Sequence, residues 1–182
     1  MANRAYLVAL DRPETDGPTW INDDDRRYFD SRWTLPLAWL FFFEPKNLVV
    51  IDEECWGTTL RFVANRRAAC AYFAQKRGLI EQIVTDERTA QLLDFIYQKV
   101  LEWPGGESLI IDPHEVWQCG DDEIDIYRSL LEAIADPQAT AKSICQAIVA
   151  VPYSYVVTDF SDSERFEVYL IGYTYLIGYT YW

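Results

Sequence analysis

Residues 34–52 read Thr-Leu-Pro-Leu-Ala-Trp-Leu-Phe-Phe-Phe-Glu-Pro-Lys-Asn-Leu-Val-Val-Ile-Asp, and they contain the longest apolar run of the chain. Pro36 suits the first turn of a helix with Thr34 as its cap, whereas Pro45 cannot continue that helix. Residues 48–51 are apolar and mostly β-branched, which is typical of a buried strand. The stretch therefore predicts a core helix followed by a core strand. Because residues 35–43 contain no polar side chain, it predicts scaffold rather than chemistry.

Hydrophobic periodicity and turn residues predict the elements on either side of this stretch. Residues 13–30, rich in Pro, Asn and Asp, predict a long surface loop. Further predicted helices are residues 66–77 (capped by Asn65 and closed by Gly78), 86–103, 121–135 and 139–150. Further predicted strands are residues 5–10, 58–63, 108–111, 153–160 and 165–171, the last two as a hairpin. These elements predict an α+β single domain with a mixed, mostly antiparallel sheet, about five helices packed on it and a carboxyl-terminal β-hairpin.

A perfect tandem repeat of Tyr-Leu-Ile-Gly-Tyr-Thr occupies residues 169–174 and 175–180 near the carboxyl end. Side chains alternate faces along a strand, so a repeat of even length keeps each repeated residue on its original face. One continuous strand from residue 165 to 182 would be far longer than usual strands. We therefore expect a globular domain at residues 1–174 and an overhanging aromatic strand at 175–182, which could pair with a second copy as a homodimer. A recent local duplication without function is the alternative.

Composition limits the class of protein. The longest apolar run is too short for a bilayer span of roughly 20 residues, and residues 6–10 are too few for the core of a secretory signal. We therefore expect a cytoplasmic protein without a membrane partner. The net charge of −13 disfavours nucleic acid as a direct ligand, because phosphate binding needs a basic surface. An acidic surface suits a basic protein partner instead, although it can also serve solubility alone.

Metal and cofactor sites are not predicted. Cys55, Cys70, Cys119 and Cys145 form no Cys-x-x-Cys pair, and His114 is the only histidine, so we interpret the cysteines as free thiols without zinc. The carboxylates at residues 121–125 lack the glycine and the distal glutamate of a calcium-binding loop. Gly105 and Gly106 are not followed by the lysine of a phosphate-binding loop.

Cys119 and His114 are the only candidate nucleophile and base, and an enzyme with a cryptic site around them, Asp112 and Glu115 is one functional hypothesis. Their acidic neighbourhood opposes ionisation of the thiol, which disfavours this hypothesis. His114 also suits a surface position or a hydrogen bond.

The charge distribution is more informative. Residues 107–136 contain nine acidic residues against Arg128 alone, and Trp117 lies among them. A large aromatic side chain with a carboxylate rim is typical of an interface facing a basic partner. Two alternatives are that Trp117 belongs to the core while the acids are merely solvated, or that the acids pair internally with the only basic cluster, at residues 61–77. The candidate partner-binding residues are Asp112, Glu115, Trp117, Asp121, Asp122, Glu123 and Asp125, together with the loop residues Asp23, Asp24 and Asp25.

The opening Met-Ala-Asn-Arg-Ala-Tyr-Leu, on a chain of this size and acidity, resembles small bacterial immunity-like proteins encoded beside polymorphic or secreted toxins. The resemblance covers these seven residues and the general character of the chain, and it includes no catalytic motif. It implies a cytosolic protein that binds and neutralises a cognate toxin. We expect the acidic residues to cover a basic toxin active site, such as that of a nuclease. A self-assembling adaptor that uses the Tyr-rich tail is a further hypothesis.

Overall fold

A six-stranded antiparallel sheet organises the structure, a computed structural model that describes residues 4–11, 28–32, 35–53, 57–83, 87–103, 105–113, 124–149 and 174–176. The strands lie in the order β3-β4-β5-β1-β2-β6, and all neighbouring pairs are antiparallel. They are β1 (Arg4–Leu10), β2 (Tyr28–Arg32), β3 (Leu48–Glu53), β4 (Gly57–Asn65), β5 (Ser108–Asp112) and β6 (Thr174–Leu176). Strands β3 and β4, which follow each other in the chain, pair antiparallel from Leu48 opposite Phe62 to Glu53 opposite Gly57.

Six α-helices and one 3-10 helix belong to the described part of the chain. They are α1 (Leu37–Leu40), the 3-10 helix (Pro45–Asn47), α2 (Arg66–Gln75), α3 (Arg77–Ile83), α4 (Glu87–Glu102), α5 (Ile124–Ala135) and α6 (Ala141–Val149). The predicted α+β fold is confirmed, with a sheet that is antiparallel throughout its described strands. The hairpin predicted at residues 153–171 and the tail at residues 177–182 lie outside the described residues.

Strand β2 corrects the prediction that residues 13–30 form a loop. Its sequence is Tyr-Phe-Asp-Ser-Arg, and only Phe29 and Tyr28 suggest a strand locally. Register along β1 places Phe29 opposite Leu7, where it is 1% exposed and packs against Trp103 at 5.4 Å between ring centroids. Pairing with β1 and burial of Phe29 thus outweigh the weak strand propensity of Asp30 and Ser31.

Helix α1 is much shorter than the helix predicted at residues 34–43. Pro36 precedes it as the cap, and the Phe42 and Phe43 N–H groups donate to carbonyls three residues earlier, at 3.2 and 3.0 Å. Residues 37–43 are each at most 2% exposed. An early end to the helix sends the phenylalanines in different directions, since Phe42 lies 4.4 Å from Phe73 of α2 and Phe43 lies 5.9 Å from Phe62 of β4. The predicted scaffold role holds, with a turn and a 3-10 helix in place of the long helix.

Apolar side chains of the helices pack on one face of the sheet. Leu7 of β1, Phe62 of β4 and Ile111 of β5 share one buried cluster with the helices. The helical stripes are buried as their periodicity predicts, with Leu93, Ile96 and Val100 from α4 and Tyr127, Leu131 and Ile134 from α5. This packing buries the face that we call the helix face of the sheet.

Helix α2 begins as predicted but does not end at Gly78. The Asn65 side chain accepts hydrogen bonds from the N–H groups of Arg67 and Ala68 at 3.1 and 3.2 Å, which is a helix cap. The chain then turns at Lys76 and continues as α3, with Gly78 inside that helix. Burial of Leu79, Ile80 and Ile83 offsets the cost of glycine in a helix, about 1 kcal/mol.

Arg66 joins the start of α2 to the end of α4. Its Nε donates to the Gly106 carbonyl at 2.7 Å, and its Nη1 donates to the Val100 and Trp103 carbonyls at 3.0 and 2.6 Å. A cation at a helix carboxyl terminus satisfies the last carbonyls and complements the helix dipole. Beyond α4, Gly105 and Gly106 have φ of 72° and 69°, so the chain leaves the helix through left-handed backbone, in agreement with the predicted stop.

Candidate functional site

Charged and aromatic residues lie in one row across the face of the sheet opposite to the helix face. Arg61 of β4 and Asp112 of β5 are neighbours there, one step beyond the register pair of Phe62 and Ile111. On the other side of Asp112, the register places Tyr6 of β1, and opposite Tyr6 it places Asp30 of β2. The antiparallel register therefore brings together residues from four strands.

Arg61 and Asp112 form a buried ion pair. Their whole-residue exposures are 0% and 4%, and the Arg61 Nε and Nη2 atoms both lie 3.3 Å from Asp112 Oδ2. Both guanidinium nitrogens thus meet the same carboxylate oxygen. In the shorter bidentate arrangement, by contrast, each of two guanidinium nitrogens donates to a different carboxylate oxygen. The pair joins two central strands and holds its charges away from solvent.

Apolar side chains line the next two rows of the same face. Val8, Leu10 and Ile110 are buried there, and Tyr28 and Val63 pack against them. Tyr28 also meets Tyr6 edge to face, with 5.9 Å between the ring centroids. An apolar surrounding strengthens the attraction between Arg61 and Asp112 and raises the cost of leaving either one unpaired.

Asp112 therefore differs from the exposed carboxylate that the sequence predicts. It is buried and paired with Arg61. One interpretation of the acidic residues was that they pair internally with the basic cluster at residues 61–77, and Asp112 does so. With 4% exposure, its carboxylate does not reach a partner protein at the surface. The sequence could not show this because Arg61 is 51 positions away.

The other predicted site residues are mostly outside the described residues. Asp125 lies in the first turn of α5, where a carboxylate is favoured by the helix dipole. The remaining predicted residues fall outside, namely Asp23, Asp24, Asp25, Glu115, Trp117, Asp121, Asp122 and Glu123, and so do His114 and Cys119 of the enzyme hypothesis. The structure thus brings none of them into a described cluster.

Cys70 is the one cysteine whose side chain is described, and it is a buried free thiol. Burial raises the pKa of Cys70 above its usual value of 9.0, while the nearby Arg66 charge acts in the opposite direction. A thiol kept protonated in this way is a poor nucleophile and a poor metal ligand. The predicted structural role is consistent with this environment.

Two basic residues at the junction of α2 and α3 are bonded to their own protein. Lys76 Nζ donates to the Ala135 carbonyl at the end of α5 at 3.1 Å and lies 5.5 Å from the centroid of the Tyr72 ring. Desolvation lowers the pKa of Lys76, with Asp136 opposing that shift. Arg77 bonds Asp94 and Glu81, and these hydrogen bonds raise its pKa further.

Carboxylates of the described surface remain largely exposed. Helix α4 presents Glu87, Gln91, Asp94, Gln98 and Glu102 at helical spacing on its outer side, next to Leu101, which is 47% exposed. Other exposed acids are Glu107, Glu132 and Asp136. Helix α4 was not predicted to be part of the acidic surface, although the i, i+4, i+7, i+11 and i+15 spacing of these polar residues is a signal for it.

The described residues contain no group of three or more His, Cys, Asp or Glu side chains that could hold a metal ion. None of their helices is long and apolar enough to cross a membrane.

Comparison of the chain with protein-family models, curated proteins and solved structures finds no match.

Proposed function

We propose that this protein is an immunity protein, which neutralises a bacterial toxin by binding a basic surface of that toxin with its own acidic surface. The observation that supports the proposal most is that most of the basic cluster is bonded to its own protein, while many carboxylates are exposed. Four basic residues of the cluster at residues 61–77 bond groups of their own protein, namely Arg61, Arg66, Lys76 and Arg77.

Internal bonds hold these basic groups against their own protein, while many carboxylates of the described surface are exposed. Arg61 and Asp112 cancel each other inside the protein, whereas Glu87, Glu102 and Glu107 are exposed. Charges at the surface act over a Debye length of about 8 Å at physiological salt and accelerate encounters with partners of opposite charge. A basic partner protein is therefore the ligand class that this surface favours.

The toxin class follows from the same argument. Nucleases and other nucleic-acid-modifying enzymes carry positive substrate sites because they bind phosphates. An acidic protein that covers such a site competes with the nucleic acid electrostatically. The binding surface of the proposal consists of Glu115, Trp117, Asp121, Asp122, Glu123 and Asp125, together with the loop residues Asp23, Asp24 and Asp25. The buried Asp112 is not part of it.

The experiment uses the toxic carboxyl-terminal domain of a secreted protein encoded beside this chain. Binding is measured by calorimetry for the parent and for the Asp121→Lys, Asp122→Lys double variant at several salt concentrations. We expect the double variant to bind at least about tenfold more weakly, because like charges then face the basic site, and to show a smaller salt dependence.

The matched control is the Glu87→Lys, Glu102→Lys double variant, which changes net charge equally on α4. It should retain most of the affinity if the surface at residues 121–125 makes the contact. Equal weakening by both variants would show that only net charge matters. Unchanged affinity and salt dependence in the first variant would overturn the electrostatic contact, and a gene neighbourhood without such a toxin would overturn the immunity class.

A further inference from the structure

Strand β6 lies across the junction of the two tandem repeat copies. Thr174 is the last residue of the first copy, and Tyr175 and Leu176 are the first residues of the second. The strand pairs with β2 at one edge of the sheet, with Ser31 opposite Thr174, Asp30 opposite Tyr175 and Phe29 opposite Leu176. A short pairing of three residues thus joins the repeat to the domain.

The repeat supplies two further segments of nearly the same sequence at a distance of six residues. A shift in one direction replaces Thr174, Tyr175 and Leu176 by Val168, Tyr169 and Leu170, and a shift in the other direction replaces them by Thr180, Tyr181 and Trp182. The tyrosine opposite Asp30 is kept in all three registers. Because six is even, each shifted residue also keeps its face of the sheet.

The chain between α6 and β6 is long enough for either shift. Helix α6 ends at Val149 and β6 starts at Thr174, so 24 residues intervene, and a shift by six changes this to 18 or 30. Even 18 residues can span about 60 Å when extended, which exceeds the diameter of a domain of this size. Chain length therefore selects none of the three registers.

We propose that β6 exchanges between registers on β2 that differ by one six-residue repeat. Pairing partners of similar chemistry make the registers close in free energy, since register is strongly specified only where a shift moves apolar residues to the wrong face. Each exchange moves the carboxyl-terminal end by about 20 Å along the strand direction. The exchange is a conformational device of the fold and does not depend on the proposed toxin binding.

Disulfide trapping tests the proposal in the full-length chain. Asp30→Cys is combined in turn with Tyr175→Cys, Tyr169→Cys or Tyr181→Cys, and each product is identified by peptide mass spectrometry after mild oxidation. We expect the 30–175 disulfide and at least one of the 30–169 and 30–181 disulfides to form at rates within about tenfold, because opposed residues of paired strands have suitable separations.

Asp30→Cys with Gly178→Cys is the control, because that pair needs an odd shift of three residues. It should form at least about tenfold more slowly than the shifted repeat pairs. Formation of the 30–175 disulfide alone would overturn the exchange, and equally fast formation of the 30–178 disulfide would show a loose tail instead.

Discussion

At the scale of single residues, the same charged side chain serves different purposes according to its neighbours. Asp112 has an acidic sequence neighbourhood and yet belongs to a buried pair with Arg61, whereas the nearby Glu107 is exposed. A buried carboxylate needs a paired cation, because desolvation of an isolated charge costs several kcal/mol. Glu107 is exposed, so water and salt screen its charge and it needs no paired cation.

The Asp112→Ala variant should unfold at a much lower urea concentration. It leaves Arg61 buried without this partner, and breaking a buried pair on one side costs about 3–5 kcal/mol. Urea unfolding monitored by circular dichroism gives the change in free energy of unfolding. The Glu107→Ala variant is the surface control, with an expected change within about 0.5 kcal/mol.

The double variant Arg61→Met, Asp112→Leu separates the cost of an unpaired charge from the value of the pair. It removes both charges and replaces them with apolar side chains, so that no buried charge is left unpaired, and we expect it to be more stable than the Asp112→Ala variant. An Asp112→Ala variant no less stable than the Glu107→Ala control would contradict the buried pair.

At the scale of elements, the connection between α4 and β5 depends on two glycines that differ in their surroundings. Gly106 donates its N–H to Asp11 Oδ1 at 2.7 Å, next to the end of β1. A Cβ on Gly106 would lie 2.7 Å from Ala9 Cβ and 2.9 Å from the Ala9 carbonyl carbon, whereas a Cβ on Gly105 would meet only Asp11 Oδ1, at 3.6 Å. Both positions favour glycine because their backbone is left-handed. At Gly106 the close approach of the Ala9 backbone is a second reason, which Gly105 lacks.

The Gly106→Ala variant should be less stable than the Gly105→Ala variant. Both variants share the cost of alanine in left-handed backbone, about 1–2 kcal/mol. Only Gly106→Ala adds overpacking against Ala9, about 1–3 kcal/mol more. Thermal and urea unfolding of the two variants under the same conditions measures the difference, and equal stabilities would contradict the close approach of this turn to β1.

At the scale of the whole molecule, the excess of carboxylates over basic groups lowers stability. The net charge is −13, and two of the basic residues, Arg66 and Lys76, are bonded to carbonyl groups of their own protein. Carboxylates spread over the surface repel each other in the compact state. Salt weakens that repulsion more than it weakens the buried pair, because buried charges are screened less.

Raising sodium chloride from ~20 mM to ~300 mM should therefore stabilise the protein, since the Debye length becomes shorter than the spacing of many surface charges. A gain of about 1 kcal/mol corresponds to a Tm increase of roughly 2–4 °C for a chain of this length. Differential scanning calorimetry measures the shift. The Glu87→Gln, Glu102→Gln variant should show a smaller increase, and a Tm that falls with salt would contradict surface repulsion as the dominant effect.

Several elements were predictable because their signals are local. The Asn65 cap, the apolar stripe of α4 and the glycines after α4 all act within a few residues. Helix α2 therefore begins at its predicted position, and α4 and β5 begin and end close to theirs. The α+β class follows from the alternation of such segments. Of the candidate site, the acidic character was predictable from composition, and Asp125 lies in the predicted helix α5.

Other features depend on partners that are distant in the sequence. Strand β2 forms because Phe29 meets β1 and Trp103, and α3 passes through Gly78 because Leu79, Ile80 and Ile83 find a core to enter. The sequence by itself therefore determined the fold class, most element positions and the acidic character. Only the tertiary structure decided the short α1, the β2 strand and the burial of Asp112, because desolvation and packing depend on which distant residues meet.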